Sequence, residues 1–327
     1  MAGAGDRAMF RRHGGRLGAA ETCFPAAPRP WLDLSTGINP RGYPIRPVRR
    51  GELQRLPDPT ALARAEAAAA RVFGVTPDRI AATTGAEGAL RLLPSLLQVR
   101  RVAISPDTYG GHAEAWRAAG CEVVQDPQAA DAWVVVNPNN PDGAITSAAA
   151  ILASADQRWT IVDEAFADPH PEVSVAERAG GRLVVLRSFG KFYGLPGLRL
   201  GFALAAPELI ARLRLAQGDW PVGPEAIAAA KMGYGDERWA SDMRARLARD
   251  AARLDRLLRR AGLEILGGTS LFRLTRSSAA PRIFENLAQA GVLCRPFDDP
   301  TRLRFGLPGA ARDWARLTSA LTGDLPP

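Results

Sequence analysis

Residues 183–204 read LVVLRSFGKFYGLPGLRLGFAL: two short apolar runs separated by a glycine-rich loop that contains a lysine. Runs of this length, bounded by turn-forming residues, are typical of buried strands. Lys191 follows the first run, with Ser188 three residues before it and Arg199 eight residues after it. A serine and an arginine beside glycines can hold a phosphate, because glycine lets the backbone approach closely. An amine in such a loop is also suited to forming a Schiff base.

Lysine is rare in this chain of 327 residues, which has 42 lysines and arginines together, of which two are lysines. Chemistry that needs an amine therefore has two candidates, Lys191 and Lys231. Lys231 lies in AAAKMG, a helical pattern without a strand-end loop or anion-binding neighbours, and we interpret it as helix surface. The reactive candidate is Lys191.

The composition is that of a globular protein, with 46% hydrophobic and 23% charged residues, and the apolar fraction excludes disorder. The formal net charge is +8, but the arginines are spread along the chain. The densest run, 244–260, alternates with an apolar stripe, which predicts an amphipathic helix with a solvated basic face rather than a nucleic-acid surface. The positive charge is also compatible with a phosphorylated substrate, and we expect neither a nucleic-acid nor a membrane partner.

The cysteines, Cys23, Cys121 and Cys294, are few, widely spaced and without a C-x-x-C pair. This spacing predicts free thiols in a reducing compartment and no metal site. The first residues carry charges but no apolar signal segment, and no stretch approaches 18 uninterrupted apolar residues. We therefore expect a cytoplasmic location.

Short apolar runs alternate with helical stretches between residues 79 and 204, which predicts an α/β fold with a mostly parallel central sheet. The predicted strands are 79–82, 101–105, 132–136, 159–163, 183–187 and 200–204. After residue 206 three helical segments lead to short strands near 270–274, 292–295 and 302–305, which predicts a smaller α+β domain. We divide the chain into an N-terminal arm (1–50), a large domain (51–220) and a small C-terminal domain (221–327).

Polar residues follow several of these strands. Gly85, Ala86 and Glu87 open a helix, whose first backbone amides form a site for phosphate. The alternative is that Thr84 and Glu87 are an ordinary capping box. Asp163 ends a strand, where a side chain points into the crevice that binds ligands in open α/β sheets. Arg302 and Arg304 alternate along a late strand and so share one face, from which an arginine can grip a carboxylate.

Together these segments resemble the fold-type I, class I/II aminotransferase-like enzymes that use pyridoxal 5′-phosphate, and the resemblance covers most of the chain. It implies that Lys191 forms the Schiff base and that Asp163 keeps the pyridine nitrogen protonated. Arg304 matches the arginine for the substrate carboxylate. The cofactor-binding residues that it implies are Gly85, Ala86, Glu87, Tyr109 (stacked on the ring), Asn140 (donating to the phenolic oxygen), Asp163, Ser188, Lys191 and Arg199.

The N-terminal region indicates which group within this family the chain resembles. His13-Gly14-Gly15 followed by LDLSTGINP at 32–40, which includes Asn39, is similar to the L-threonine-O-3-phosphate decarboxylases of cobalamin biosynthesis. Imidazole and open amides suit an anion, so this segment, Asn39 and the two arginines are the predicted substrate-binding residues. A surface histidine in a flexible arm is the alternative for His13. His112 and His170 lack comparable context and are interpreted as structural.

Two positions depart from the family pattern, since Leu56 and Phe166 replace residues that are often tyrosine in relatives. The resemblance implies decarboxylation of L-threonine O-3-phosphate to (R)-1-amino-2-propanol O-2-phosphate, with Lys191, Asp163 and Tyr109 as catalytic residues. An aminotransferase for histidinol phosphate and a non-catalytic regulator on the same fold are the alternatives. The family also implies a homodimer.

Overall fold

The computed structural model describes residues 8–323, which group into two compact units. Residues 42–243 form the larger unit; the described parts of 1–41 and 244–327 form the smaller unit. The chain therefore divides after Arg41 and after Met243. The three-part division by role stays a prediction.

Helices and strands follow one another along the chain as follows. The helices are α1 (Ala8–Arg12), α2 (Leu17–Cys23), α3 (Arg50–Leu53), α4 (Pro59–Phe73), α5 (Gly85–Leu97), α6 (Gly110–Ala118), α7 (Ala148–Ala155), α8 (Phe189–Phe192), α9 (Pro207–Gln217), α10 (Pro224–Gly233), α11 (Glu237–Arg260), α12 (Ala280–Gln289) and α13 (Ala311–Thr322). The strands are β1 (Leu32–Asp33), β2 (Ile80–Thr84), β3 (Arg101–Ile104), β4 (Glu122–Val124), β5 (Ala132–Val136), β6 (Trp159–Asp163), β7 (Leu183–Ser188), β8 (Leu200–Leu204), β9 (Glu264–Thr269), β10 (Phe272–Arg276), β11 (Val292–Leu293), β12 (Arg295–Pro296) and β13 (Arg302–Gly306).

The larger unit is built on a seven-stranded sheet with the order β2-β8-β7-β6-β5-β3-β4. Neighbouring strands run parallel except that β8 is antiparallel to both β2 and β7. The predicted α/β fold with a mostly parallel sheet is confirmed, and all six predicted strands of this region are present. The edge strand β4 was not predicted, because its three residues are partly exposed and have no apolar run.

Helices α5, α6 and α9 supply the apolar side chains that cover the sheet. Leu93, Trp116 and Leu213 are each at most 2% exposed and belong to one continuous core with the strand residues. Strands such as β5 and β7 are buried along almost their whole length. Strands that are buried on both faces have nearly continuous apolar sequences, and for this reason they could be predicted from the sequence.

The smaller unit contains a four-stranded antiparallel sheet, β12-β13-β10-β9, and a parallel pair, β1 with β11. The N-terminal arm, expected to be irregular, thus contributes a strand as well as two short helices. Strand β9 was not predicted because two glycines interrupt its apolar pattern. The stripe predicted for 244–260 is confirmed, since α11 buries Leu247, Leu254 and Leu258 and exposes its arginines. Between residues 8 and 323, no helix has the length and apolar character needed to cross a bilayer.

A buried ionic cluster lies behind the sheet of the larger unit. Arg187 donates to Glu164 at 2.5 Å and also to Asp168, and all three side chains are at most 6% exposed. Glu164 also accepts from the hydroxyl of Ser174 and the amide of Val175. Burial opposes the charge of Arg187, but Asp168 and Glu164 outweigh burial and raise its pKa. Arg187 therefore stays charged, and its bonds to Glu164 and Asp168 hold the loop after β6 to the end of β7.

We expect Arg187→Met to lower the free energy of unfolding by about 3–5 kcal/mol, because it leaves two carboxylates buried without their cation. Urea unfolding followed by circular dichroism measures the change. Arg117→Met, at an exposed position on α6, is the matched control and should change the free energy by less than about 0.5 kcal/mol. Equal effects of the two substitutions would contradict the role given to the buried cluster.

Candidate active site

A single cavity in the larger unit is lined by all nine residues predicted to bind the cofactor. They follow or end β2, β3, β5, β6 and β7, or directly precede β8, at the edge of the sheet where ligands bind in α/β folds. The complete lining is Gly85, Ala86, Glu87, Leu90, Tyr109, Val136, Asn140, Asp163, Ala165, Phe166, Ser188, Lys191 and Arg199. The fold thus brings together residues that are more than a hundred positions apart in the sequence.

One end of the cavity is formed by the first turn of α5 and the loop before β8. The amide of Gly85 donates to the carbonyl of Arg199 at 2.7 Å. Gly85 has φ +68°, and a Cβ there would lie 2.8 Å from Nη2 of Arg199. Gly201 is packed still more tightly, because a Cβ there would lie 2.2 Å from the amide nitrogen of Ala86. Glycines at both places therefore let an arginine and a helix start meet, and together these donors suit a phosphate.

The alternative that Thr84 and Glu87 form a capping box is wrong. The Thr84 hydroxyl makes no capping hydrogen bond and instead donates to the carbonyl of Pro221 at 2.8 Å. The Glu87 carboxylate accepts from Arg91 at 2.7 Å and from the hydroxyl of Tyr109 at 3.2 Å. The first amides of α5 are therefore not capped by these two side chains.

Asp163, at the end of β6, is 5% exposed and lies in the cavity wall. Its Oδ1 accepts from the amide of Ala165 at 3.0 Å, and its Oδ2 lies 2.9 Å from Nε2 of His112. The pair fixes the orientation of the carboxylate from behind.

His112 was interpreted from the sequence as structural without a connection to the site, and that interpretation is corrected by this contact. The sequence signal was its position in TYGGH, three residues after Tyr109. Helix α6 begins at Gly110, so Tyr109 and His112 lie within one turn of each other. Pairing with Asp163 could not be read from this spacing, because it depends on how α6 packs against β6.

The loop after β5 places Asn140 in the cavity wall, with 8% of its surface exposed. Asp142 accepts from the amide of Ala144 at 3.0 Å and from the Asn139 side chain at 2.8 Å. Aspartate commonly forms turns through such bonds to nearby backbone groups. These bonds hold the loop that carries Asn140.

Lys191 lies in the short helix α8, directly after β7. Its Nζ is 5.5 Å from the centre of the Phe166 ring, which forms an apolar wall of the cavity. Gly190 beside it is required, since a Cβ there would lie 2.9 Å from Cα of Pro196. The second lysine, Lys231, lies exposed on α10, as predicted.

The predicted substrate-binding residues lie in the smaller unit, where Ser35 joins two of their segments. Arg304 is 1% exposed and donates through Nη2 to the carbonyl of Ser35 at 2.7 Å. The amide of Gly15 donates to the Ser35 hydroxyl at 2.8 Å, and a Cβ on Gly14 would lie 2.4 Å from the Ser35 carbonyl oxygen. His13-Gly14-Gly15 is thus held against the 32–40 segment, in which Asn39 is buried and accepts from the amide of Arg41.

Arg295 is a candidate that was not predicted. It lies directly opposite Arg304 in the β12–β13 pair, so the two side chains leave the same face of the sheet. Burial and the charge of Arg295 lower the pKa of Arg304. The carboxylate of Asp33 opposes this shift. Two guanidinium groups on one face have the donors to bind an anion. Arg302, by contrast, is paired with Asp299 at 3.2 Å.

Comparison with known proteins places this geometry in a family. The family model for aminotransferase class I and II matches residues 31–322. The chain belongs to that family. Similar members include a threonine-phosphate decarboxylase from Pseudomonas aeruginosa, 38% identical over 95% of this chain and 97% of the relative. A threonine-phosphate decarboxylase from a Sinorhizobium species is 41% identical over 94% of this chain and 97% of the relative.

Among solved structures, the fold matches a histidinol-phosphate aminotransferase from Sinorhizobium meliloti in complex with pyridoxal-5′-phosphate, with a TM-score of 0.80. That match covers 94% of this chain and 95% of the other, at 18% sequence identity. At this identity the likeness concerns the fold alone. The shared fold explains why the cavity lies at the edge of the sheet where α/β folds bind ligands.

The cavity fits the cofactor implied by the family resemblance. It has the Arg199 guanidinium and the backbone amides that follow Gly85 in the first turn of α5 as donors for a phosphate, an amine at Lys191 and a carboxylate at Asp163. Tyr109 adds an aromatic face. The individual roles of these residues stay predictions, but their chemistry and their shared cavity are consistent with those roles.

Gly201→Ala tests the close contact at the phosphate end. We expect it to lower the free energy of unfolding by about 1–3 kcal/mol, because the new Cβ can be accommodated only by moving backbone atoms of residues 85 and 86. Phosphate binding should weaken as well. Gly197→Ala is the matched control, because Gly197 lies two residues before Arg199 and a Cβ added there would have nothing within 4 Å. Urea unfolding and titration with pyridoxal phosphate measure both effects; a fully stable Gly201→Ala protein would contradict the packing argument.

Proposed function

We propose that this protein is a pyridoxal-phosphate-dependent decarboxylase that converts L-threonine O-3-phosphate into carbon dioxide and (R)-1-amino-2-propanol O-2-phosphate, a step of cobalamin biosynthesis. The observation that carries this proposal is near full-length similarity to two threonine-phosphate decarboxylases, combined with one cavity that gathers the nine predicted cofactor residues. The fold alone is shared with aminotransferases, so it does not decide the reaction.

When bound, the cofactor supplies an electron sink for the pair of electrons left when a bond to the substrate Cα breaks. Asp163, oriented by His112, provides the anion that keeps a pyridine nitrogen protonated. The amides at the start of α5 and the Arg199 guanidinium hold the phosphate. Lys191 provides the amine that anchors the cofactor and is placed to return a proton to the substrate Cα.

The proposed substrate carries a carboxylate and a phosphate, so it needs at least two cationic contacts. Arg304 and Arg295 offer two guanidinium groups on one face of the small sheet. The His13-Gly14-Gly15 segment, tied to Ser35 beside Arg304, adds an imidazole and backbone amides. We propose that these groups recognise the anions of the substrate, with Asn39 supporting the same segment.

An assay with L-threonine O-3-phosphate and no keto acid separates the proposed activity from transamination. We expect carbon dioxide to be released over many turnovers, together with a phosphorylated amino alcohol identified by mass spectrometry. An aminotransferase would stop after one turnover, because its cofactor would remain in the pyridoxamine form. A stall of that kind, or no reaction with this substrate, would refute the proposed reaction.

The two lysines allow a matched test of the anchoring amine. Lys191→Ala should lose both activity and the visible absorbance of lysine-bound pyridoxal phosphate, since no other amine lines the described cavity. Lys231→Ala, on the exposed face of α10, should keep both. Absorption spectra of the two variants after addition of pyridoxal phosphate measure the difference. Retained absorbance and turnover in Lys191→Ala would reject the assignment.

The homodimer implied by the resemblance and the cytoplasmic location expected from the cysteine pattern both stay predictions. The homodimer is tested by the molar mass in solution. The cytoplasmic location is tested by fractionation of cells that produce the full chain. Neither property is needed for the chemistry assigned to the cavity.

A further inference from the structure

The carboxylate of Glu87 lies at the end of α5 where an anion is expected to bind, and capping of the helix does not explain its place there. It lies in the first turn of α5, the turn whose amides are proposed to bind phosphate. A carboxylate in this turn competes with a bound anion for the positive end of the helix. Both oxygens of Glu87 are instead engaged by side chains: Oε1 accepts from Nε of Arg91 and Oε2 accepts from the hydroxyl of Tyr109. Arg91 also lies 3.5 Å from Glu114.

The Tyr109 ring packs against the apolar core of the larger unit and is bounded by its neighbours on α6. A Cβ on Gly111 would lie 2.5 Å from Cε1 of Tyr109, so glycine there leaves the ring room to occupy its place. The ring of His112 meets it edge-on, at 6.0 Å and 88°. Tyr109 is therefore bounded on one side by the residue that holds Asp163. The hydrogen bond to Glu87 fixes its far end.

The protonation of Tyr109 agrees with a donor role. Burial, and then the neighbouring carboxylate of Glu87, raise the pKa of Tyr109. The hydroxyl therefore remains protonated at neutral pH and keeps donating to Glu87. A hydrogen bond to an ionised carboxylate is stronger than one between neutral groups.

We propose that Glu87 is a positioning residue that, through the Tyr109 hydroxyl, fixes the plane of the ring against which the cofactor stacks. Arg91 offsets the charge of Glu87, so that the carboxylate does not repel the cofactor phosphate. The inference rests on pyridoxal phosphate as the cofactor but not on which reaction follows. The proposal identifies the Glu87 carboxylate as the group that orients the Tyr109 ring for stacking.

The test compares Glu87→Ala with Glu87→Gln and with Glu208→Ala, an exposed acidic residue in the first turn of α9 and outside the cavity lining. The readouts are the dissociation constant of pyridoxal phosphate and the visible circular dichroism of the bound cofactor. We expect Glu87→Ala to raise the dissociation constant about five- to tenfold, the loss of one charge-assisted hydrogen bond, and to reduce the dichroism. Glu87→Gln keeps an acceptor and should stay within about twofold, and Glu208→Ala should match the wild type.

A double-mutant cycle with Tyr109→Phe shows whether Glu87 acts through the hydroxyl. In the Tyr109→Phe background, Glu87→Ala should cause no further loss. Unchanged or tighter binding by Glu87→Ala, or an equal loss with and without the hydroxyl, would overturn the proposal. This test is separate from the test of the proposed decarboxylase activity. If the wild-type protein binds pyridoxal phosphate but does not decarboxylate phosphothreonine, the proposed activity fails and the positioning role of Glu87 can still be tested. If the wild-type protein does not bind pyridoxal phosphate, the proposed activity and the positioning role are both overturned.

Discussion

The antiparallel register of β8 between β2 and β7 sets the geometry on which the cavity depends. Gly201 lies opposite Thr83 on one side and opposite Ser188 on the other. This row across three strands puts the start of α5 beside the loop that carries Arg199 and beside the strand end that leads to Lys191. Because Gly201 has no side chain, the backbone of Gly85 and Ala86 can close on it. A side chain at this one position would separate donors that must act together on a phosphate.

Adjacent acidic residues at the end of β6 serve different purposes because successive side chains of a strand point in opposite directions. Asp163 lies in the cavity wall and is held by His112. Glu164 is fully buried and is neutralised by Arg187 at the end of the neighbouring strand. The ionic cluster behind the sheet thus supports the strand end that carries Asp163. Two residues joined by one peptide bond therefore serve different parts of the structure: Asp163 lines the cavity and Glu164 stabilises the fold.

The many arginines fall into groups with different energetic roles. Those along α11 are exposed on the face opposite its buried leucines and contribute mainly to solvation. Arg187 is buried with two carboxylates. Arg304 is buried opposite another arginine, and burial together with that charge lowers its pKa, while Asp33 opposes the shift. Burial and neighbouring charge, not residue type, distinguish Arg304 from Arg187.

Much of the larger unit could be predicted from sequence, because its strands are buried on both faces and appear as continuous apolar runs. Strands β5, β6 and β8 lie at their predicted residues. The smaller unit was less predictable, since β9 contains two glycines and β1 has two residues that become a strand only by pairing with β11. Pairing of this kind depends on residues far away in the chain and leaves no local pattern.

The sequence by itself determined which chemical groups are present: one lysine in a glycine-rich loop, a carboxylate at a strand end, amides at a helix start and arginines on a late strand. Local spacing suffices for these, because each motif is contained in a few consecutive residues. Only the tertiary structure decided which of them face one another. The pairing of His112 with Asp163, of Arg295 with Arg304 and of Glu87 with Tyr109 joins separate elements. Such contacts depend on sheet order, register and helix packing, which no short stretch of sequence encodes.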